Sequence, residues 1–267
     1  MRKLKLLPVK IFITIILLSA PFASYSWGVL GHRIVGEIAS GYLTPKARLA
    51  VANILGTESI AIASNWPDFI KSDTSYKYLA SWHYVNLPAG LNAENVYAFL
   101  ISDTTVNAYN RLNFITLQLK SKKLSQVQKI FYLRLLIHIV GDVHQPLHVG
   151  RPEDRGGNSI KVTWFNTPYN LHQIWDNVLI NFQQLSYTEY ARAINHPTPA
   201  QFKLWRSQQA WQWFYHSYQL AEQVYGDVKG PDQKLDYEYN FKYIALLEEQ
   251  LLMGGVHLAT VLNDIYK

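Results

Sequence analysis

An apolar run at 130–140 leads directly into His138, Asp142, His144, Gln145, Pro146 and His148. A run of this length and composition reads as a buried helix. His138 and Asp142 are four residues apart, about one helical turn, so both side chains leave the same face. A carboxylate buried there without a partner costs on the order of several kcal/mol, and a metal ion is an economical partner for it and the imidazole. The same spacing recurs at His172 and Asp176. One such pair is as well explained by a satisfied core histidine. Two pairs together with His148 are not.

The first 26 residues read as a secretory signal peptide rather than as fold. Arg2, Lys3, Lys5 and Lys10 form a basic start, 11–18 is an apolar stretch too short to span a bilayer, and Ser24 and Ser26 put small residues at a cleavage site. Cleavage after Ser26 makes Trp27 the new N-terminus and leaves 241 of the 267 residues, enough for one sizeable core. It also removes four of the 25 basic residues and no acid, leaving 21 basic against 19 acidic groups, so net charge is no argument for nucleic-acid binding. Lys120, Lys122 and Lys123 read as a solvated loop. There is no cysteine, so an exported chain of this kind must be held by packing or by metal. With no glycosylation sequon either, it reads as a bacterial exported protein, periplasmic or secreted, with no membrane segment after cleavage.

Along the chain, a helical pattern passes through Ile34, Val35 and Ile38. Thr44 and Pro45 look like the cap and first position of a second helix running to Leu55, with Gly56 as its stop. Helical patterns follow at 93–120, at 126–145 ending at Pro146, at 170–182, at 197–225 and at 235–265. Residues 81–88 read as extended or loop, 150–158 as turns, and 159–165 as a strand or hairpin arm. The fold expected is all-α, a single compact helical domain at 27–267 with a minor β-hairpin.

The metal-capable groups near these motifs are Asp68, His83, His138, Asp142, His148, His172 and Asp176, joined by His32 and the amine of Trp27. Imidazoles and carboxylates without thiolate suit zinc at a catalytic site. Nine donor groups are too many for one ion and suit a cluster of two or three, in which a carboxylate bridges and a phosphoryl group is clamped. An α-amino group, with a pKa near 8, loses its proton more readily than lysine and with its own carbonyl can chelate a metal.

These residues resemble the S1/P1 nucleases, zinc-dependent single-strand nucleases and 3′-nucleotidases whose fold is similar to that of the zinc phospholipases C. The motifs occur here in order, from Trp27 to Asp176: Trp27-Gly28-x-x-Gly31-His32, Trp66-Pro67-Asp68, Trp82-His83-Tyr84, the set from His138 to His148, Gly156-Gly157-Asn158, and Asn170-Leu171-His172-x-x-Trp175-Asp176. The resemblance implies three Zn2+ ions. Asp68, His83 and His138 would hold the first, with Asp142 bridging. His148, His172 and Asp176 would hold the second. The amine and carbonyl of Trp27, His32 and Asp142 would hold the third. It implies a hydroxide between the first and third ions as nucleophile, Lys71 neutralising the phosphate, Tyr84 stacking the base, and Asn86 and Asn158 on the nucleotide. Asn86 stands where the better-known members carry Asp, and an amide donates as well as accepts. The implied substrates are single-stranded DNA, RNA and 3′-nucleotides, cut to 5′-phosphorylated products, with no stable protein partner. Two other functions share some of these features: a zinc phospholipase C on the same scaffold, and a non-catalytic periplasmic zinc-binding protein.

Outside the motifs the expectations are plainer. His144 points away from the His138 and Asp142 face and reads as structural. His196, His216 and His257 read as surface or core, and Trp175 as a buttress between ligands. Arg155 reads as a solvated loop residue, with contact to a phosphate as the alternative.

Overall fold

The apolar run forms the deeply buried half of the helix Gln126–Asp142, where every residue from Leu135 to Asp142 is enclosed. The computed structural model describes residues 27–121 and 123–267, so the expected signal peptide at 1–26 and Lys122 lie outside the described residues. In chain order the helices are α1 (Val29–Gly41), α2 (Pro45–Leu55), the single turns α3 (Ile60–Ala63) and α4 (Trp66–Phe69), α5 (Ala93–Ser102), α6 (Ala108–Lys120) and α7 (Gln126–Asp142). After the sheet begins come α8 (Leu171–Gln173), α9 (Leu179–Phe182), α10 (Tyr187–Ile194), α11 (Pro199–Ser207), α12 (Ala210–Gly226) and α13 (Tyr237–Ile265).

α7 starts at a reciprocal cap. Ser125 Oγ accepts from the Gln128 amide, and the Gln128 side chain accepts from the Ser125 amide. It is then surrounded by α1, α2, α3, α4, α6 and α13. Burying each Leu, Ile or Val of such a helix contributes roughly 1.5–3 kcal/mol, so packing places it more firmly than helix propensity does. α2 follows the sequence reading: Thr44 Oγ1 caps the Ala47 amide at 3.2 Å and Gly56 turns the chain with φ 68°.

Several elements end earlier than periodicity suggests. The pattern at 93–120 is two helices, because Asp103 accepts from the Thr105 amide and Asn107 from the Asn110 amide, and these local bonds compete with the helix ladder. The pattern at 197–225 likewise divides into α11 and α12. α7 stops at Asp142 rather than at 145, and a 3-10 turn Pro146–Val149 follows. The expected minor hairpin is β1 (Lys161–Trp164) and β2 (Thr167–Asn170), antiparallel with Val162 opposite Tyr169. A third strand, β3 (Gln233–Leu235), pairs parallel to β1 and was not expected. β2 runs directly into α8, where the Asn170 side chain caps the Gln173 amide at 2.8 Å.

Candidate metal centre and substrate cleft

Seven elements bring their motif residues together at the buried end of α7. α1 carries His32, α4 carries Asp68, and the end of the 3-10 segment Thr74–Trp82 delivers His83. α7 itself supplies His138 and Asp142, and the turn after it His148. α8 carries His172, and a π-helical stretch Ile174–Val178 carries Asp176. Such single-turn bulges often mark functional positions. All eight side chains are buried.

Three groups result, each with its ligand-capable atoms within 4.8 Å of one another: Asp68, His83 and His138; His32, His138 and Asp142; His148, His172 and Asp176. Asp142 lies where they meet. Its Oδ2 is 2.9 Å from His83 Nδ1 and 3.1 Å from His138 Nε2, and its Oδ1 is 3.3 Å from His32 Nε2 and 3.6 Å from His148 Nδ1. His148 Nε2 in turn is 3.8 Å from Asp176 Oδ1, and His172 Nε2 is 3.3 Å from Asp176 Oδ2. Trp27 is fully buried, and the next amide, of Gly28, donates to Asp176 O at 2.7 Å, which ties the start of the described chain to this cluster.

His32 reaches the centre only because residue 141 lacks a side chain. A Cβ at Gly141 would stand 2.6 Å from His32 Nδ1, and the imidazole cannot retreat because it is buried and stacks on His138 with centroids 3.9 Å apart.

Backbone carbonyls fix the tautomers. His138 Nδ1 donates to Ser64 O at 2.6 Å, His148 Nδ1 to His83 O at 2.7 Å, and His172 Nδ1 to Gly156 O at 2.6 Å. A carbonyl can only accept, so the proton of each neutral ring sits on Nδ1 and its Nε2 presents a lone pair. Gln145 holds Asp176 in the same manner, donating from Nε2 to Oδ1 at 2.6 Å.

Burial holds the imidazoles of His32 and His83 down to about 4 and that of His172 down to about 3, and it lowers His148 as well. These rings are therefore neutral, the form that binds metal. His138 differs. Burial lowers it too, but the carboxylates of Asp142 and Asp68 outweigh burial and the net shift is upward. For Asp142, burial opposes ionisation, yet His138 and His148 keep its carboxyl well below the usual range. Asp68 is also lowered: burial raises it, and His138 and Lys71 more than offset that. Burial pushes Asp176 well above the usual range, a shift that a cation among His148, His172 and Asp176 would reverse.

The donors fit a metal cluster on structural grounds. His83 Nε2, His148 Nε2, Asp142 Oδ1 and Asp176 Oδ2 are buried without a hydrogen bond. Leaving one such group unsatisfied costs about 1–3 kcal/mol, and metal ions in the three groups would satisfy all of them. His138 Nε2 and His83 Nδ1 stand 2.9 Å apart against one carboxylate oxygen, a contact that requires a proton or a metal ion between them.

A cleft of about 400 Å³ opens over the cluster. Lys71, His83, Tyr84, Asn86, Leu147, His148, Asn158 and His172 line it. Lys71 Nζ is paired with Asp68 Oδ1. The strip after His83 is extended: the Val85 amide donates to His148 O and the Leu87 amide to Gly150 O, both at 2.9 Å. With Val85 and Leu87 buried, Tyr84 and Asn86 turn to the cleft, and Tyr84 is 42% exposed there. Arg155, exposed on its loop as expected, also lines this cleft, where a phosphate contact is within its reach. His144 is indeed structural: it is buried and bonded to His257 and to Val140 O. Trp175 is buried and donates to Tyr239 Oη at 2.9 Å. The reading from sequence had not singled out Gln145 or the carbonyls of Ser64 and Gly156. Gln145 had a signal, its place between two motif histidines, whereas a carbonyl leaves no mark in a sequence.

This arrangement is a buried three-group His/Asp centre beneath a solvent-facing cleft, in a helical fold. The chain matches the S1/P1 nuclease family model over residues 27–267 and belongs to that family. It is 30% identical to Endonuclease 4 of Arabidopsis thaliana over 90% of this chain and 89% of that protein. It is 31% identical to Nuclease S1 of Aspergillus oryzae over 57% of this chain and 54% of that protein, and 32% identical to Nuclease P1 of Penicillium citrinum over 57% of this chain and 58% of that protein.

Proposed function

We propose that this protein is an exported zinc-dependent endonuclease that cuts single-stranded DNA and RNA to 5′-phosphorylated products and removes the phosphate of 3′-nucleotides. The reading rests on one observation above all: three His/Asp groups meet at Asp142 beneath a cleft that carries Lys71, Tyr84 and Asn86. Membership of the S1/P1 nuclease family supports it.

Three zinc ions are the proposed complement. Asp68, His83 and His138 would hold one, with Asp142 shared. His148, His172 and Asp176 would hold another, and His32, Asp142 and the freed amine and carbonyl of Trp27 the third. Zinc supplies water that ionises near neutrality and positive charge for the phosphate oxygens. The residues do the rest. The carbonyls of Ser64, His83 and Gly156 keep three imidazoles aimed inward. Lys71, held on Asp68, brings a cation to the attacked phosphate. Tyr84 offers a stacking face worth roughly 1–3 kcal/mol per base whatever the sequence, and Asn86 can both donate to and accept from the base edge. Asn158, in the lining of the same cleft, contacts the nucleotide as well. A base turned aside onto Tyr84 is available in a single strand and costly to free from a duplex.

Metal analysis of the mature protein, paired with digestion of denatured and duplex DNA, tests the reading. We expect about three zinc per chain and release of acid-soluble nucleotides from the denatured substrate, abolished by chelation. Release of phosphocholine from phospholipid without nucleotide release would point to a phospholipase instead, and zinc binding without any cleavage to a storage protein. A variant with one extra residue left ahead of Trp27 should lose a zinc; unchanged metal content and turnover would remove the amine from the ligand set.

A further inference from the structure

The loop 150–158 holds two arginines in different circumstances. Arg151 is occupied: its Nε and Nη2 donate to Glu222 Oε1 at 3.0 and 2.9 Å, and its guanidinium lies 4.3 Å from the Tyr225 ring centroid. Arg155 has no ion pair and no side-chain hydrogen bond among the described residues, and it stands in the wall of the cleft beside His148 and His172. The other cation in that wall, Lys71, is already paired with Asp68.

The backbone under Arg155 is fixed rather than loose. Its φ is 60°, the left-handed region, which costs a residue with a side chain roughly 1–2 kcal/mol. Gly156 and Gly157 continue the turn at 63° and 79°. The turn is tied on both sides: the Gly156 amide donates to Arg151 O at 2.9 Å, the Gly157 amide to Asp154 Oδ1 at 2.7 Å, and Asn158 Nδ2 to Arg155 O at 2.9 Å. Tyr225 Oη anchors Asp154 from α12 at 2.9 Å. The next carbonyl along, Gly156 O, is the one that orients His172. A strained turn thus sets one member of the His/Asp centre and tethers an uncommitted guanidinium within the same cleft.

A nucleoside stacked on Tyr84 with its 3′-phosphate over the His/Asp groups and Lys71 leaves that guanidinium without an anion. The chemistry that matches an open arginine fork is a second phosphate, met bidentately. We propose that Arg155 binds the phosphate esterified at C5′ of the nucleoside seated on Tyr84, so that it selects nucleic-acid strands and 5′-phosphorylated nucleotides over simple 3′-nucleotides. This rests on the nuclease and 3′-nucleotidase reading above.

Two compounds that differ by that one group provide the test: 3′-AMP and adenosine 3′,5′-bisphosphate, each assayed for release of the 3′-phosphate by the zinc-loaded mature enzyme. The wild type should favour the bisphosphate by about tenfold in kcat/KM, mainly through KM, with the preference shrinking as salt rises. Arg155→Ala should lose most of that preference at unchanged zinc content, and Arg155→Lys, which keeps the charge but not the fork, should retain part of it. No preference in the wild type, or the same preference in Arg155→Ala, overturns the assignment. If the wild type hydrolyses neither compound, the nucleotidase reading fails, and calorimetric titration of the same two intact compounds then decides the role of Arg155 separately.

Discussion

Two clusters of buried histidines lie at the end of α7, and they are built on opposite terms. On one face, His32, His83, His138, His148 and His172 surround Asp68, Asp142 and Asp176. On the other, His144 and His257 face each other with no carboxylate between them: His144 Nε2 is 2.8 Å from His257 Nδ1, His144 Nδ1 donates to Val140 O at 2.7 Å, and His257 Nε2 lies 3.0 Å from both Trp205 O and Gln208 Oε1. The His257 ring also stacks on Trp213 at 4.4 Å. Every nitrogen of this pair has a protein atom within hydrogen-bond distance. In the first cluster, His83 Nε2 and His148 Nε2 are buried without a hydrogen bond. Both clusters are buried, with five histidines in the first and two in the second. What separates a candidate metal centre from a structural pair is whether carboxylates stand among the rings and whether every ring nitrogen has a protein atom at hydrogen-bond distance.

The largest expected effect comes from Asp142→Asn. It removes the carboxylate that two of the three proposed ion sites share, so metal content should fall by two ions and kcat by more than 100-fold, read by metal analysis and steady-state kinetics. A variant that keeps its full metal content would break the contrast at its centre. Next is chelation. Metal bound to the native state stabilises it by about 4 kcal/mol per site at a thousandfold excess over Kd, so the melting temperature should drop by at least roughly 10 °C, while the His144 and His257 pair contributes nothing to that drop. Third, Gly141→Ala should displace His32, with loss of one metal ion and about a 10–100-fold fall in activity at near-normal secondary structure by circular dichroism.

His257→Asn sharpens the contrast from the other side. It should cost roughly 1–3 kcal/mol of stability through the partners it leaves behind, with metal content and kcat unchanged. The smallest effect is on pH dependence. Burial holds His144 down to about 4, whereas an unfolded histidine titrates near 6.5, so as pH falls the unfolded chain takes up the proton first. The stability that His144 contributes is complete above about pH 6.5 and is lost on the way down to 4. Burial depresses His257 in the same direction. Thermal melts of the metal-loaded protein between pH 7 and 5 should therefore slope less in His257→Asn than in the wild type; equal slopes would show that this pair does not titrate on unfolding.

Much of the fold was legible because its signals are local. Thr44, Pro45 and Gly56 bounded α2, the apolar run marked α7 as buried, and the four-residue spacings put His138 with Asp142 and His172 with Asp176. The breaks at 103–107 and after Asp142 were harder to read, because there short side chains compete with the helix for the same amides. β3 was missed because three residues of strand gain their partner only from β1, some seventy positions earlier.

The sequence by itself determined which donors this protein owns, in what order, and which pairs share a turn. It also determined the family, since those motifs are spelled in residues. Tertiary structure decided the rest: that Asp142 touches four imidazoles drawn from α1, α7 and two loops, that His138 serves two groups, that His144 turns to His257, and that Arg155 stands open while Arg151 is bound. The physical reason is that satisfaction of a buried polar group is a property of its neighbours in space, and most of those neighbours, including the carbonyls of Ser64 and Gly156, are distant in the chain and carry no residue-type signal.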